Sequence, residues 1–384
     1  MPSTSKQSIL LLFPGPKYDL DRQFGERLAL LSRDFEGEVL TSGSSDESRT
    51  YDSFCLRAIH RNRVINIRFA LFVIGTALRH RLGGRTFDLV VSYDPIKTGI
   101  LGIVAARILK AKMVTEVNGD YAEDIHYVDE VTGRKAVIKK ALYGLIIRFV
   151  LLRCSGIKTL YPGQLAPFRK SLKKGQKLAS FHDYINLQGF SRGDEEKIVL
   201  LAGFPFYVKG VDILISAFKS ISDRHPDWRL KILGWYPNRD LLDRHIAEHP
   251  KIEFHQAVHH RDMPDHVGRA GICVLASRTE GMGRFLIEAM TAGKPRIGTR
   301  IGGIPQIIEP GVDGLLFDAE NREELAACLD LLMGDSALRQ RLGEAAQRRS
   351  LNYGTDSYYR QLRNFYFEVL GQPFGSEATV STES

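Results

Sequence analysis

The chain has 384 residues, of which 43% are hydrophobic, 26% charged and 9% aromatic. That length is well beyond a typical domain of about 150 residues, and the composition is globular, which excludes a single small domain and a disordered or fibrous chain. The net charge of +8 is unevenly placed, +11 over residues 1–188 and −3 over residues 189–384, so the first half suits phosphates or an anionic surface.

In chain order, Ser8–Phe13, Val39–Leu40, Phe87–Ser92, Lys112–Val117 and Ile157–Tyr161 read as strands with helices between them. After a Gly/Ser-containing charged stretch, Leu187 to Glu196, the pattern resumes with strands Lys197–Ala202, Arg229–Leu233, Ile252–His255, Gly271–Leu275 and Arg296–Gly298. Helices such as Gly210–Arg224 and Arg284–Ala292 alternate with them. Alternating strands and helices predict α/β architecture with parallel sheets. The expected division is residues 1–188, residues 189–355, a C-terminal helix over 356–371 packing back on the first domain, and a disordered tail over 372–384.

The apolar run Ile9–Phe13 is too short for a signal-peptide core, and no run reaches the ~20 residues of a spanning helix, so a cytoplasmic location is expected. Cys55, Cys154, Cys273 and Cys328 are widely spaced and read as buried reduced thiols. Asp19-Leu20-Asp21 has the form of a metal-binding Asp-x-Asp but precedes the first helix, where Asp21 reads as a cap. The histidines His255, His259, His260 and His266 lack a Cys or paired acid nearby, and no metal is expected.

The densest chemistry lies in Ala276–Met290, where Glu280-Gly281-Met282-Gly283-Arg284-Phe285 follows a buried strand and opens a helix that carries Glu288. Glycines let backbone approach a ligand, and the first-turn N–H groups of a helix suit a diphosphate. Two carboxylates eight positions apart can each accept from sugar or ribose hydroxyls. Lys209, at the start of a helix after Leu201-Ala202-Gly203-Phe204, is a cation in a position the helix dipole disfavours unless an anion is present.

The run Glu280 to Glu288, with Lys294-Pro295, Gly302-Gly303-Ile304-Pro305 and Gly311–Leu316 after it, resembles the donor-site signature of family 4 glycosyltransferases. The resemblance implies the GT-B fold, two doubly wound Rossmann-like domains facing across a cleft, the first for the acceptor and the second for a nucleotide-sugar donor. It implies retaining, metal-independent transfer of a hexosyl-type sugar from a nucleotide-diphosphate sugar, which enters as substrate, with no cofactor. It places Glu288 on the ribose, Glu280 on the sugar, Lys209 on the leaving diphosphate, and Gly203, Gly281, Met282, Gly283, Arg284 and Phe285 around the donor.

Three positions depart from that signature, one of them Gln306, which replaces the commoner glutamate. Phe204 stands where the family has a phosphate-binding arginine, leaving Arg284 or Arg278 to supply the cation, and Asn118 stands near the family's histidine. Gly15, after the first strand, is a candidate donor contact or an ordinary turn, and Asp120 reads either as a helix cap or as the group that accepts the acceptor's proton.

Arg57 to Arg85 and Arg134 to Arg153 carry many basic residues around apolar centres. Both read as interfacial amphipathic helices for an anionic membrane surface, where a lipid-linked or membrane-surface glycan would be the acceptor in polysaccharide or cell-envelope assembly. Nucleic acid is not expected, since no aromatic-interleaved binding motif accompanies the charge. The alternatives are a degenerate GT-B protein that binds nucleotide or glycan without catalysis, and a nucleotide-sugar epimerase.

Overall fold

The computed structural model describes residues 6–13, 15, 23–60, 65–121, 134–236 and 249–372. The chain forms two compact units, one from Met1–Asn118, Tyr143–Phe181 and Tyr358–Ser384, the other from Gly119–Leu142 and His182–Ser357. The chain leaves the first unit at Phe181, ahead of the boundary expected at 188, and re-enters it at Tyr358.

The N-terminal unit contains β1 (Gln7–Leu12), α1 (Gln23–Leu31), β2 (Phe35–Gly43), β3 (Glu47–Tyr51), β4 (Phe54–His60), α2 (Ile65–Leu82), β5 (Leu89–Ser92), α3 (Gly99–Leu109) and β6 (Lys112–Val117). The long helix Arg134–Leu151 (α4), which belongs to this unit from Tyr143 onward, leads to β7 (Gly156–Thr159), a 3-10 segment Pro162–Ser171 and β8 (Lys177–Ser180). The eight strands run β3-β4-β2-β1-β5-β6-β7-β8, all neighbours parallel except the β3/β4 pair. Ile9–Leu12 are buried throughout, the continuous apolar run that a parallel strand covered on both faces requires.

Sequence patterning misses β3 and β8 because both are polar edge strands with alternating or exposed residues. It also places Arg57 in a helix, whereas Arg57 lies in β4 and its guanidinium donates to Glu38 at 2.9 Å; the basic helix begins only at Ile65. Two of the four cysteines, Cys154 and Cys273, are buried and the other two are half-buried, and burial pushes both buried thiols up to about 12.

The C-terminal unit contains β9 (Ile198–Ala202), α5 (Val211–Ile221), β10 (Arg229–Gly234), β11 (Ile252–Gln256), α6 (Met263–Arg269), β12 (Ile272–Leu275) and α7 (Arg284–Thr291). It continues through β13 (Arg296–Thr299), α8 (Ile304–Ile307), β14 (Leu315–Phe317), α9 (Arg322–Gly334) and α10 (Ser336–Ser350). Its six strands are all parallel in the order β11-β10-β9-β12-β13-β14. Strand periodicity divides the core in two: Val199 and Leu201 pack with α5 and α9 on one face, while Ile198 and Leu200 pack with α7 and α8 on the other.

The last helix, α11 (Thr355–Leu370), is held in the N-terminal unit: Tyr366 donates to Glu116 at 3.2 Å and Arg363 pairs with Asp34 at 2.7 Å. Asp19, Asp21 and the tail over 373–384 lie outside the described residues.

Candidate active site

Strand order in the C-terminal unit reverses between β9 and β12, and such a switch point opens a crevice beyond the strands' carboxyl ends. Two loops meet there, 203–210 after β9 and 276–283 after β12. Gly210 makes the approach possible: at φ 62° a Cβ would lie 1.9 Å from the Ala276 carbonyl oxygen, so no other residue fits without moving backbone. The Arg278 N–H donates to the Val208 carbonyl at 2.9 Å, closing the loops together.

The crevice holds a cavity of about 360 Å³. Lys209, Glu280, Arg284, Glu288 and His260 line its charged side, and Gly203, Phe204, Leu233, Val258, Met263 and Phe285 much of the remainder. Four side chains form two ion pairs. Lys209 Nζ lies 2.6 Å from Glu280 Oε2, and Arg284 Nε donates to Glu288 Oε1 at 3.0 Å.

Burial pushes the Glu280 carboxyl up, but Lys209, the Gly283 N–H and the Ser277 hydroxyl outweigh it and hold the group below its ordinary value. Glu288 responds oppositely. Its burial dominates over the single Arg284 contact, so its carboxyl sits above the ordinary range. His260 touches the Arg284 guanidinium through Nε2, which must therefore accept rather than donate, and the same atom lies 3.7 Å from Glu288.

The two arginines near the cavity differ. Arg278 is forked onto Asp212 with both bonds at 2.8 Å, donates to the Tyr207 carbonyl at 2.7 Å and pairs with Glu320, so its guanidinium is a structural clasp between the loops. Arg284 lines the cavity with its side chain 37% exposed. Phe204 also faces the cavity and is 53% exposed, with its ring edge-to-face against exposed Trp235 at 6.4 Å.

Of the residues predicted from sequence, Lys209, Gly203, Glu280, Arg284, Phe285 and Glu288 all line this cavity. Gly283 caps the start of α7 with φ 72°, and Gly281 packs against Gly303, where a Cβ would lie 2.3 Å from its carbonyl oxygen. Met282 Sδ sits 3.2 Å from the Asp183 nitrogen. The four histidines have separate partners: His255 Glu253, His259 the Arg261 N–H, His260 Arg284, and His266 Lys231.

In the N-terminal unit Gly15 follows β1, and a Cβ there would lie 2.0 Å from the Ser42 carbonyl oxygen at φ 49°, so local packing alone demands glycine. Asn118 follows β6 with its amide nitrogen bonded to the Tyr93 carbonyl at 2.9 Å and to Glu116 at 3.3 Å, while its oxygen accepts from Lys158 at 3.3 Å. Asp120 is buried, in a stretch that groups with the C-terminal unit. His260 and the Asp212–Arg278–Glu320 clasp were not legible in advance, since neither has a local spacing signal and each joins elements far apart in sequence.

Residues 186–349 match the family model described as glycosyl transferases group 1. Spore coat protein SA of Bacillus subtilis strain 168 is 29% identical over 218 residues, 51% of this chain and 58% of that protein, so the chain spans little more than half the length of this relative. Sucrose-phosphate synthase from Thermosynechococcus elongatus superposes with a TM-score of 0.77 at 18% identity, covering 95% of this chain and 100% of that one. HepE from Anabaena, solved in complex with UDP, gives a TM-score of 0.73 at 14% identity over 94% of this chain and 100% of that one.

Proposed function

From the match of residues 186–349 to the family model of group 1 glycosyl transferases and from the GT-B fold of the chain, we propose that this protein is a retaining glycosyltransferase using a nucleotide-diphosphate sugar. The observation that carries the reading is one cavity in which Lys209, Glu280 and Glu288 gather at the start of α7 and at a strand-order switch point. The likeness in fold to HepE, solved in complex with UDP, is consistent with a nucleotide ligand.

In this reading the diphosphate lies against the first turn of α7, whose leading N–H groups lack intrahelical acceptors. Lys209 neutralises charge as it builds on the leaving phosphate oxygen, the principal catalytic contribution. Glu288 accepts from the ribose diol and Glu280 from hydroxyls of the transferred sugar. The bond from the anomeric carbon to the phosphate oxygen breaks, a bond to the acceptor oxygen forms on the same face, and the acceptor's proton passes to the departing phosphate. Protein cations supply the phosphate neutralisation, so chelators are expected to leave turnover unchanged.

The acceptor is a lipid-linked or membrane-surface glycan. Two helices support this: α2 exposes Ile67, Leu71, Leu78 and Leu82 beside Arg68, Arg79 and Arg81, and α4 exposes Val137, Ile138, Leu142, Leu145 and Phe149 beside Arg148. Apolar residues spaced along a helix between arginines fit the interface of an anionic bilayer. Among the described residues no helix is long and apolar enough to cross a membrane.

Thermal stabilisation by UDP, GDP, ADP and their sugars tests the donor site, because a ligand of the native state raises apparent stability. Nucleotide release dependent on a glycan acceptor tests transfer. Stabilisation by a nucleotide without release under any acceptor would favour a second reading, a nucleotide-binding protein without transfer, which the exposed phenyl ring of Phe204 inside the cavity supports.

A further inference from the structure

A diphosphate leaving group carries more than one negative charge, and Lys209 supplies one positive charge. Phe204 faces the same cavity with a ring that can donate no hydrogen bond. Arg278, close in sequence, is committed to Asp212, Glu320 and the Tyr207 carbonyl. Arg284 is different: it lines the cavity, is 37% exposed, and is held by one bond to Glu288 and by the contact with His260 Nε2.

We infer that Arg284 is the second cation of the diphosphate site and that it reaches this role by exchanging partners, leaving Glu288 for a phosphate oxygen as ribose hydroxyls take its place on Glu288. The inference rests on the donor-site reading above. The ledger of hydrogen bonds stays balanced through the exchange. Arg284 keeps an anionic partner, and the buried Glu288 carboxylate, 8% exposed, is not left without donors. Within the cavity Lys209 pairs with Glu280 and Arg284 with Glu288, so the two cations and two carboxylates balance one another. His260, accepting from the guanidinium through Nε2, keeps Arg284 at the cavity wall instead of in solvent.

The readout is the gain in affinity from nucleoside to nucleoside diphosphate, measured by calorimetry with uridine and UDP, and with the guanosine and adenosine pairs, on the parent, Arg284→Gln, Arg284→Met and Glu288→Gln. The expected result is that both Arg284 variants lose about tenfold or more of that gain while nucleoside affinity stays within about twofold. Glu288→Gln shows the opposite pattern, with weaker nucleoside binding and the diphosphate gain retained. An unchanged gain in the Arg284 variants, or equal losses for nucleoside and diphosphate, would overturn the inference and reduce Arg284 to a holder of Glu288. A parent that binds no nucleotide overturns the donor reading itself, and this inference with it. Arg284 is partly exposed and its loss opens no core cavity, so two independent variants keep the comparison interpretable.

Discussion

Lys209 Nζ and Glu280 Oε2 are 2.6 Å apart, with the two side chains 20% and 13% exposed. They come from loops following β9 and β12, which are separated in sequence by the whole of α5, β10, β11 and α6. Parallel pairing brings them together, since β9 and β12 are adjacent in the sheet and both loops leave from the same edge. The pair links the loop that would hold phosphate to the loop that would hold sugar.

Lys209→Ala is expected to weaken nucleoside diphosphate binding by about 10- to 100-fold, the value of a charge-assisted hydrogen bond, and to cut turnover at least as much. It also changes acid stability. Glu280 is held below its ordinary value in the folded protein, so its contribution is present above the unfolded carboxyl pKa and is lost as pH falls through the lower folded one. Without Lys209 that contribution shrinks, so the variant loses less stability than the parent as pH falls. Melting temperatures of parent and variant from pH 3 to pH 7 check this, and parallel curves would contradict it.

Glu288→Gln separates function from stability. The Glu288 carboxyl is raised by burial, so the folded state binds its proton more tightly than the unfolded chain does, and stability falls as pH rises from the unfolded carboxyl pKa through the folded one. Removing the charge removes that penalty. The variant is therefore expected to melt higher than the parent at neutral pH, with the difference shrinking below the ordinary carboxyl range, while nucleoside affinity drops about tenfold for the lost acceptor. A lower melting temperature at neutral pH would show that the Arg284 pair outweighs burial.

Much of this site was legible from residue order alone. The glycines around Glu280, the carboxylate eight positions on and Lys209 beside Gly210 are local patterns, and Gly210 reports a backbone requirement that the structure displays as a close approach to the Ala276 carbonyl. What sequence did not reveal joins distant segments. Asp212, Arg278 and Glu320 have no common spacing, and only the fold shows that Arg278 is a clasp while Arg284 faces the cavity. In the N-terminal unit the polar edge strands β3 and β8 lack the apolar run of a buried strand, and Arg57 took on helical meaning only from its basic neighbours. The division between units was misplaced because glycine and charge density near residue 189 mark a surface loop, whereas the contacts change earlier, at Phe181.

Asp212→Ala removes the buried partner of the Arg278 fork, leaving the guanidinium with Glu320 and one carbonyl. Breaking such a pair is expected to cost about 2–3 kcal/mol, below the full value for a buried pair because Glu320 is exposed and remains. The two loops would then lose their register, and sugar-nucleotide turnover should fall with stability. Denaturant unfolding together with turnover at saturating donor checks both; a stable variant with reduced activity would instead place Arg278 in contact with substrate.

The surface of α2 and α4 gives a prediction independent of the donor site. Leu71 and Leu145 are 66% and 62% exposed, so charging them disturbs no core. If these faces enter a lipid interface, Leu71→Asp with Leu145→Asp removes buried apolar area and adds repulsion from anionic headgroups, and vesicle affinity should fall about tenfold or more. Melting temperature and nucleotide binding should remain those of the parent. Raising salt screens the arginine contribution but not the apolar one, so parent binding to anionic vesicles should decline with salt without vanishing. Co-sedimentation with anionic and neutral vesicles at low and high salt measures each part. A parent that stays in the supernatant under every condition, or a variant that pellets as the parent does, would remove the membrane from the reading and leave a soluble glycan as the acceptor.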